Sequence, residues 1–167
     1  MFPMAKSLNI ALNFALIGIL VKFTIFILEL PREYAIYGYF LFILFALFFG
    51  LRKHFEKKGY QGIGNTVKEG MRIASVYSIV ITLFTYIYYT YIDSGFLQSR
   101  LTERILEAQE LGYSEEQIEQ VRASGKFFFS VSMHTSFTLF GFMIVGLIYS
   151  VIWAIIFWKV PNARGIK

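Results

Sequence analysis

The chain contains no cysteine, so disulfides and thiolate chemistry are excluded together, while the redox compartment is left open. Histidine is nearly absent as well, with only His54 and His134. The two fall on opposite sides of the membrane topology derived below, so no pair has metal-ligand spacing and no metal or other cofactor is expected. Alternating strands of the kind that close a barrel are missing, as is a convincing internal repeat. The first absence leaves helices as the only way to cross a bilayer, and the second gives no support to an inverted-repeat transporter. Paired acids or a nucleophile beside a base are also missing from the apolar stretches, and an enzyme is not expected.

What is present is apolar sequence in long runs. Of 167 residues, 56% are hydrophobic and 19% aromatic, and the mean hydropathy is +0.56. That is too apolar for one soluble domain with a polar surface. A helix needs about 20 apolar residues to cross the hydrocarbon core. Four stretches meet the requirement, at about 8–30, 34–51, 71–92 and 135–158. The expected fold is an all-α membrane protein. It is an antiparallel four-transmembrane-helix bundle in a single integral domain, 1–167, with a short extracytoplasmic helical hairpin between the third and fourth spans. The first span is too long for a signal-peptide core and lacks a small-x-small cleavage pattern after it, so it reads as retained.

Orientation follows from the basic residues. Six of the sixteen Lys and Arg, Arg52, Lys53, Lys57, Lys58, Lys68 and Arg72, lie between the second and third spans. Placing that loop in the cytoplasm puts both termini there too, with Lys6, Lys159, Arg164 and Lys167. Ten basic residues are then inside, and five, Arg32, Arg100, Arg104, Arg122 and Lys126, outside. The Lys and Arg bias is what orients a multi-pass chain. The charge of +5 therefore expresses membrane orientation, and no nucleic-acid partner is expected.

The connections differ in kind. Pro31 suits a tight turn that makes the first two spans a hairpin. Thr66 and Glu69 have capping-box spacing, which predicts a helix start at Thr66 running into the third span. Residues 59–66 nearly match a phosphate-binding loop, but Asn65 stands where a lysine belongs and no strand precedes it. The glycines read instead as a flexible turn near the headgroups. There Arg52, Lys53, Lys57 and Lys58 suit contact with anionic lipid. In the insert at about 95–126, Leu97, Leu101, Ile105 and Ala108 recur at helical spacing, Gly112 is a stop, and Ser114 with Gln117 forms a cap. Two short amphipathic helices are predicted.

At this point the order of features resembles a bacterial family of small four-span membrane proteins known as domain of unknown function four-one-nine-nine. The likeness rests on Phe49-Gly50-Leu51-Arg52-Lys53, on Tyr91-Ile92-Asp93 with Phe96-Leu97, on Leu111 to Gln120, and on Ile155-Ile156-Phe157-Trp158-Lys159. Where that family tends to have a proline after the third span, this chain has Ser94 and Gly95. The resemblance implies a four-span fold and a location in the bacterial inner (plasma) membrane, and it brings no activity with it.

Three intramembrane polar residues are candidate site residues. Lys22 costs roughly 2.5 to 3.5 kcal/mol near a bilayer centre. It reads first as snorkelling or pairing with Glu29 seven positions on, and second as a ligand or ion contact. His134, with Ser130 and Thr138 on its face, is the remaining titratable group, and with Glu29 it could relay protons if their helices are neighbours. Two rows of small residues mark helix packing: Gly70, Ala74, Ser78 and Thr82 on the third span, and Gly146, Ser150 and Ala154 on the fourth. Contact within one subunit is favoured over a homo-oligomeric contact. Tyr86, Tyr88, Tyr89, Tyr91 and Trp158 read as interface anchors. The expected role is a non-catalytic accessory or scaffold subunit that binds another membrane or periplasmic protein. The alternative is a small-molecule or ion transport component built as a homo-oligomer around Lys22, Glu29 and His134.

Overall fold

The computed structural model describes residues 6–164, so Lys167, counted above among the inner charges, lies outside the described residues. Within them the chain is helical. The order is α1 (Lys6–Ile27), α2 (Tyr34–Lys58), α3 (Ile63–Ile87), a π-helical turn (Tyr88–Ile92), α4 (Phe96–Glu110), α5 (Glu115–Phe128), α6 (Val131–Lys159) and a closing 3-10 turn (Pro161–Arg164). Four helices are long and apolar enough to cross a membrane: α1, α2, α3 with its π turn, and α6. The charged ends of α2 and α3 add helix beyond the apolar run, which is why these helices exceed the 34–51 and 71–92 predicted from hydropathy. Side chains such as Leu20, Leu83, Phe140 and Ile144 stay exposed, the condition expected of a surface solvated by acyl chains.

The fold divides into two compact units, 1–81 with 139–167, and 82–138. The first holds most of the core. On α1 the buried residues Ser7, Ala11, Ala15, Gly18, Lys22 and Ile25 recur every three or four positions, which places them on one face. That face is narrow and small, and a Cβ added to Gly18 would come 3.0 Å from the Tyr39 ring of α2. The α1 helix ends in a Schellman arrangement, the Leu30 amide donating to the Ile25 carbonyl and the Glu29 amide to that of Phe26. Glu29 takes the left-handed position there, with φ 52°, where glycine is the usual occupant.

Between α3 and α6 the two rows of small residues meet. A Cβ added to Gly70 would lie 2.5 Å from Ser150 Oγ, and one on Gly146 would lie 2.5 Å from the Ala74 Cβ. Ser78, Ser150 and Ala154 are fully buried in the same unit. Ser78 and Ser150 donate their hydroxyls to the carbonyls of Ala74 and Gly146 one turn back, which satisfies them without an outside partner. Thr82, the last member of the α3 row, begins the second unit. Two side chains tie helices through backbone carbonyls: Tyr77 on α3 donates to the Tyr39 carbonyl on α2 at 2.9 Å, and Trp153 on α6 donates to that of Leu44 at 3.2 Å. Lipid supplies no hydrophobic force between helices, so close packing and such bonds carry the association.

The second unit contains the end of α3, the π turn, α4, α5 and the start of α6. The α4–α5 hairpin turns at Gly112, which has φ 76°, and restarts at Ser114. The Ser114 hydroxyl accepts from the Gln117 amide while the Gln117 side chain accepts from the Ser114 amide, a complete capping box. Leu97, Leu101 and Ala108 form the buried stripe of α4. Gly125 of α5 admits the Leu101 side chain, since a Cβ there would overlap its methyl group.

Two expectations need correction. The α3 helix begins at Ile63, and Thr66 does not cap it: the buried Thr66 hydroxyl donates to the Gly62 carbonyl at 2.8 Å, inside the first turn. Gly62, at φ 92°, makes the turn one position before the helix, so Gly64 and Thr66 are helical, not a loop. The tyrosines after Thr85 are not one interface belt either. Tyr86 and Tyr91 are exposed, but Tyr88 and Tyr89 are buried. Tyr88, with Tyr89 beside it, continues at helical spacing the buried stripe of Tyr77, Ile81 and Phe84, and the π turn, closed by the Asp93 amide on the Tyr88 carbonyl, begins there.

Candidate functional site

The best-developed polar site lies where the basic ends of α1, α2 and α3 converge in the first unit. Its centre is Glu69, only 6% exposed. Burying a carboxylate is costly unless donors replace its water. Here Ser7 of α1 donates its hydroxyl to Glu69 Oε1 at 3.2 Å, and His54 Nδ1 of α2 lies 3.3 Å from the same oxygen. Arg72, one turn along α3, donates to Oε2 at 3.3 Å. One carboxylate therefore gathers side chains from three helices. Tertiary position explains why Glu69 is not a helix cap: it lies seven residues into α3, on the face turned towards α1 and α2.

Around this centre opens a cavity of about 420 Å³ lined by Lys6, Ser7, Lys53, His54, Glu56, Lys57, Lys58, Glu69 and Arg72. Lys53 is paired with Glu56 along α2. Arg52, the remaining member of the predicted lipid-contact group, turns away and places its guanidinium 5.4 Å from the centre of the Phe48 ring. At the same end of the unit Arg164 folds back on α6. It donates to the carbonyls of Phe157 and Trp158 at 2.6 and 3.2 Å and stacks 3.9 Å above the Tyr60 ring. Free carbonyls at the α6 terminus are thereby capped by a cation, as the helix dipole favours.

The intramembrane candidates have three different surroundings. Lys22 is buried, 5% exposed, on the α1 face shared with Gly18 and Ile25, so it does not extend to water along the protein surface. Asn9 and Asn13 are on the exposed side of that helix. Glu29 is exposed in the turn after α1. His134 belongs to the second unit, where its ring meets Tyr89 edge to face at 4.8 Å. The hydroxyls near His134 are engaged with backbone: Ser130 donates to the Phe127 carbonyl and accepts from the Met133 amide, and Thr138 donates to the His134 carbonyl. Ser130 thus caps α6. Among the described residues there is no cluster of three His, Asp or Glu suited to a metal ion.

The Glu69 cluster was missed because Thr66-x-x-Glu69 already had a local explanation. The available signal was charge: Glu56 and Glu69 are the only acids in a strongly basic stretch, and an acid kept there calls for partners.

Four apolar helices and a basic polar end define a multi-pass membrane type of protein. The chain belongs to the family described as Protein of unknown function (DUF4199), whose model matches residues 9–159. No curated protein and no solved structure matches it.

Proposed function

We propose that this chain is a non-catalytic accessory subunit of the bacterial inner membrane that engages a protein partner through its α4–α5 hairpin. In this reading the four spans run antiparallel, which the pairing of Gly70 with Ser150 and of Ala74 with Gly146 supports, since one number rises as the other falls. In the same reading the termini and the basic pocket face the cytoplasm and the hairpin lies outside, a placement that the Lys and Arg bias supports.

One observation carries the partner assignment. On a hairpin that carries the ion pairs Arg100 with Glu103 and Arg104 with Glu107, the turn presents Leu111 and Tyr113, both exposed, and Leu106 is exposed on α4 before it. Apolar groups gathered on a polar element mark an interaction surface. In the small-residue rows, by contrast, Gly70 meets Ser150 and Gly146 meets Ala74 within the subunit.

The test uses the absence of cysteine. Single cysteines at Glu116 and Lys58 should label from opposite sides of intact inner-membrane vesicles. A photo-crosslinker at Leu111 should give one discrete adduct that the same group at Gln120 does not. An adduct of twice the chain mass would instead make the contact homo-oligomeric, and no adduct, with a lone monomer in mild detergent, would remove the subunit reading.

A further inference from the structure

The geometry points to the pocket around Glu69 as a binding site for a phosphate group, supplied by the headgroup of an anionic phospholipid. Five Lys and Arg side chains line it against two carboxylates. The carboxylates are already engaged, Glu56 by Lys53, and Glu69 by Ser7, His54 and Arg72. Lys6, Lys57 and Lys58 have no ion-pair partner among the described residues, which leaves three cations facing a cavity of about 420 Å³. Lysines act on phosphate as movable point charges, and the Arg72 guanidinium, steadied by Glu69, adds a planar donor.

Depth favours a lipid over a soluble anion. The apolar run of α2 ends at Leu51, and Lys53 and His54 follow within one turn. The floor of the pocket is therefore at headgroup level whichever way the protein faces, and the inference does not depend on the orientation or the partner proposed above. Glu69 has a positioning role in this scheme. It joins Ser7, His54 and Arg72 from three helices, so that the basic rim has one shape and is more than a diffuse charge.

The test is thermal unfolding of the full chain in phosphatidylcholine nanodiscs containing increasing phosphatidylglycerol, because a ligand of the folded state raises the apparent midpoint by mass action. The wild type should show a saturable rise. K57Q/K58Q, both at exposed positions, should weaken the apparent affinity about 25-fold, roughly fivefold for each charge near the surface. K68Q/K159Q removes the same charge outside the pocket and should change it less than about twofold. Inorganic phosphate added to pure phosphatidylcholine discs separates the sources. A midpoint rise that K57Q/K58Q abolishes would assign the site to a soluble phosphate ligand and keep its chemistry. Equal losses in the two double variants, or no response to either probe, would overturn the site.

Discussion

Two glycines on different helices are both crowded, a Cβ on Gly146 falling 2.5 Å from a neighbouring atom and one on Gly125 closer still, and they differ in what crowds them. In the first unit, Gly146 of α6 faces the Ala74 Cβ, an atom fixed to the α3 backbone. In the second unit, Gly125 of α5 faces a terminal methyl of Leu101, which can rotate away. A glycine contact is thus only as unforgiving as its neighbour is rigid. Between α3 and α6 two backbones approach each other, as suits helices with no hydrophobic drive between them. Between α4 and α5 the end of a leucine side chain fills the space a Cβ would take.

The largest break in this comparison comes from Gly146→Leu. It should cost about 3 kcal/mol, by overpacking a seam that can relax only if a helix moves. Unfolding in detergent would register the loss, and an unchanged midpoint would mean that α3 and α6 are not in close contact. Next is Ser114→Ala, which removes the α5 cap and should cost about 1 kcal/mol. Hydrogen exchange should rise in Glu115–Phe128 and leave α1 and α2 unaffected; a uniform rise would deny the hairpin its independence. Tyr77→Phe removes the bond to the Tyr39 carbonyl and should cost about 0.6 kcal/mol, the usual scale for a polar contact between membrane helices. The smallest effect belongs to Gly125→Ala. Restored helix propensity of up to about 1 kcal/mol offsets the shift of Leu101, so the net change should stay within about 0.5 kcal/mol. If it instead matched Gly146→Leu, rigidity of the neighbour would not be the deciding quantity.

The spans were legible because lipid imposes a length and a composition that few other environments demand. The cap at Ser114 was legible because both its members lie within four residues. Local pattern was equally available at Thr66 and Glu69, and there it misled. A carboxylate that can cap its own helix can also be drawn to donors on two others, and sequence spacing does not say which attraction is stronger. Similarly, Tyr88 and Tyr89 are inseparable from Tyr86 and Tyr91 by composition, and what divides them is their place on the helical stripe that Tyr77, Ile81 and Phe84 begin. Of the two expectations for Lys22, snorkelling or pairing with Glu29, the first assumed an isolated helix. Packed against its neighbours, α1 buries that residue on its narrow face.

The π turn at Tyr88–Ile92 has a consequence for insertions and deletions. Such a turn holds one residue more than an α-helical turn of the same height. Losing one residue of this segment would leave a regular α-helical turn and keep the chain beyond it in nearly the same rotation, whereas losing one from the regular part of α3 would rotate that chain by about 100°. In the second case Tyr89 would lose its edge contact with His134 of α6, although neither ring had been altered. The regular helix Ile63–Ile87 is therefore constrained as a length, whereas the π turn after it can give up a residue.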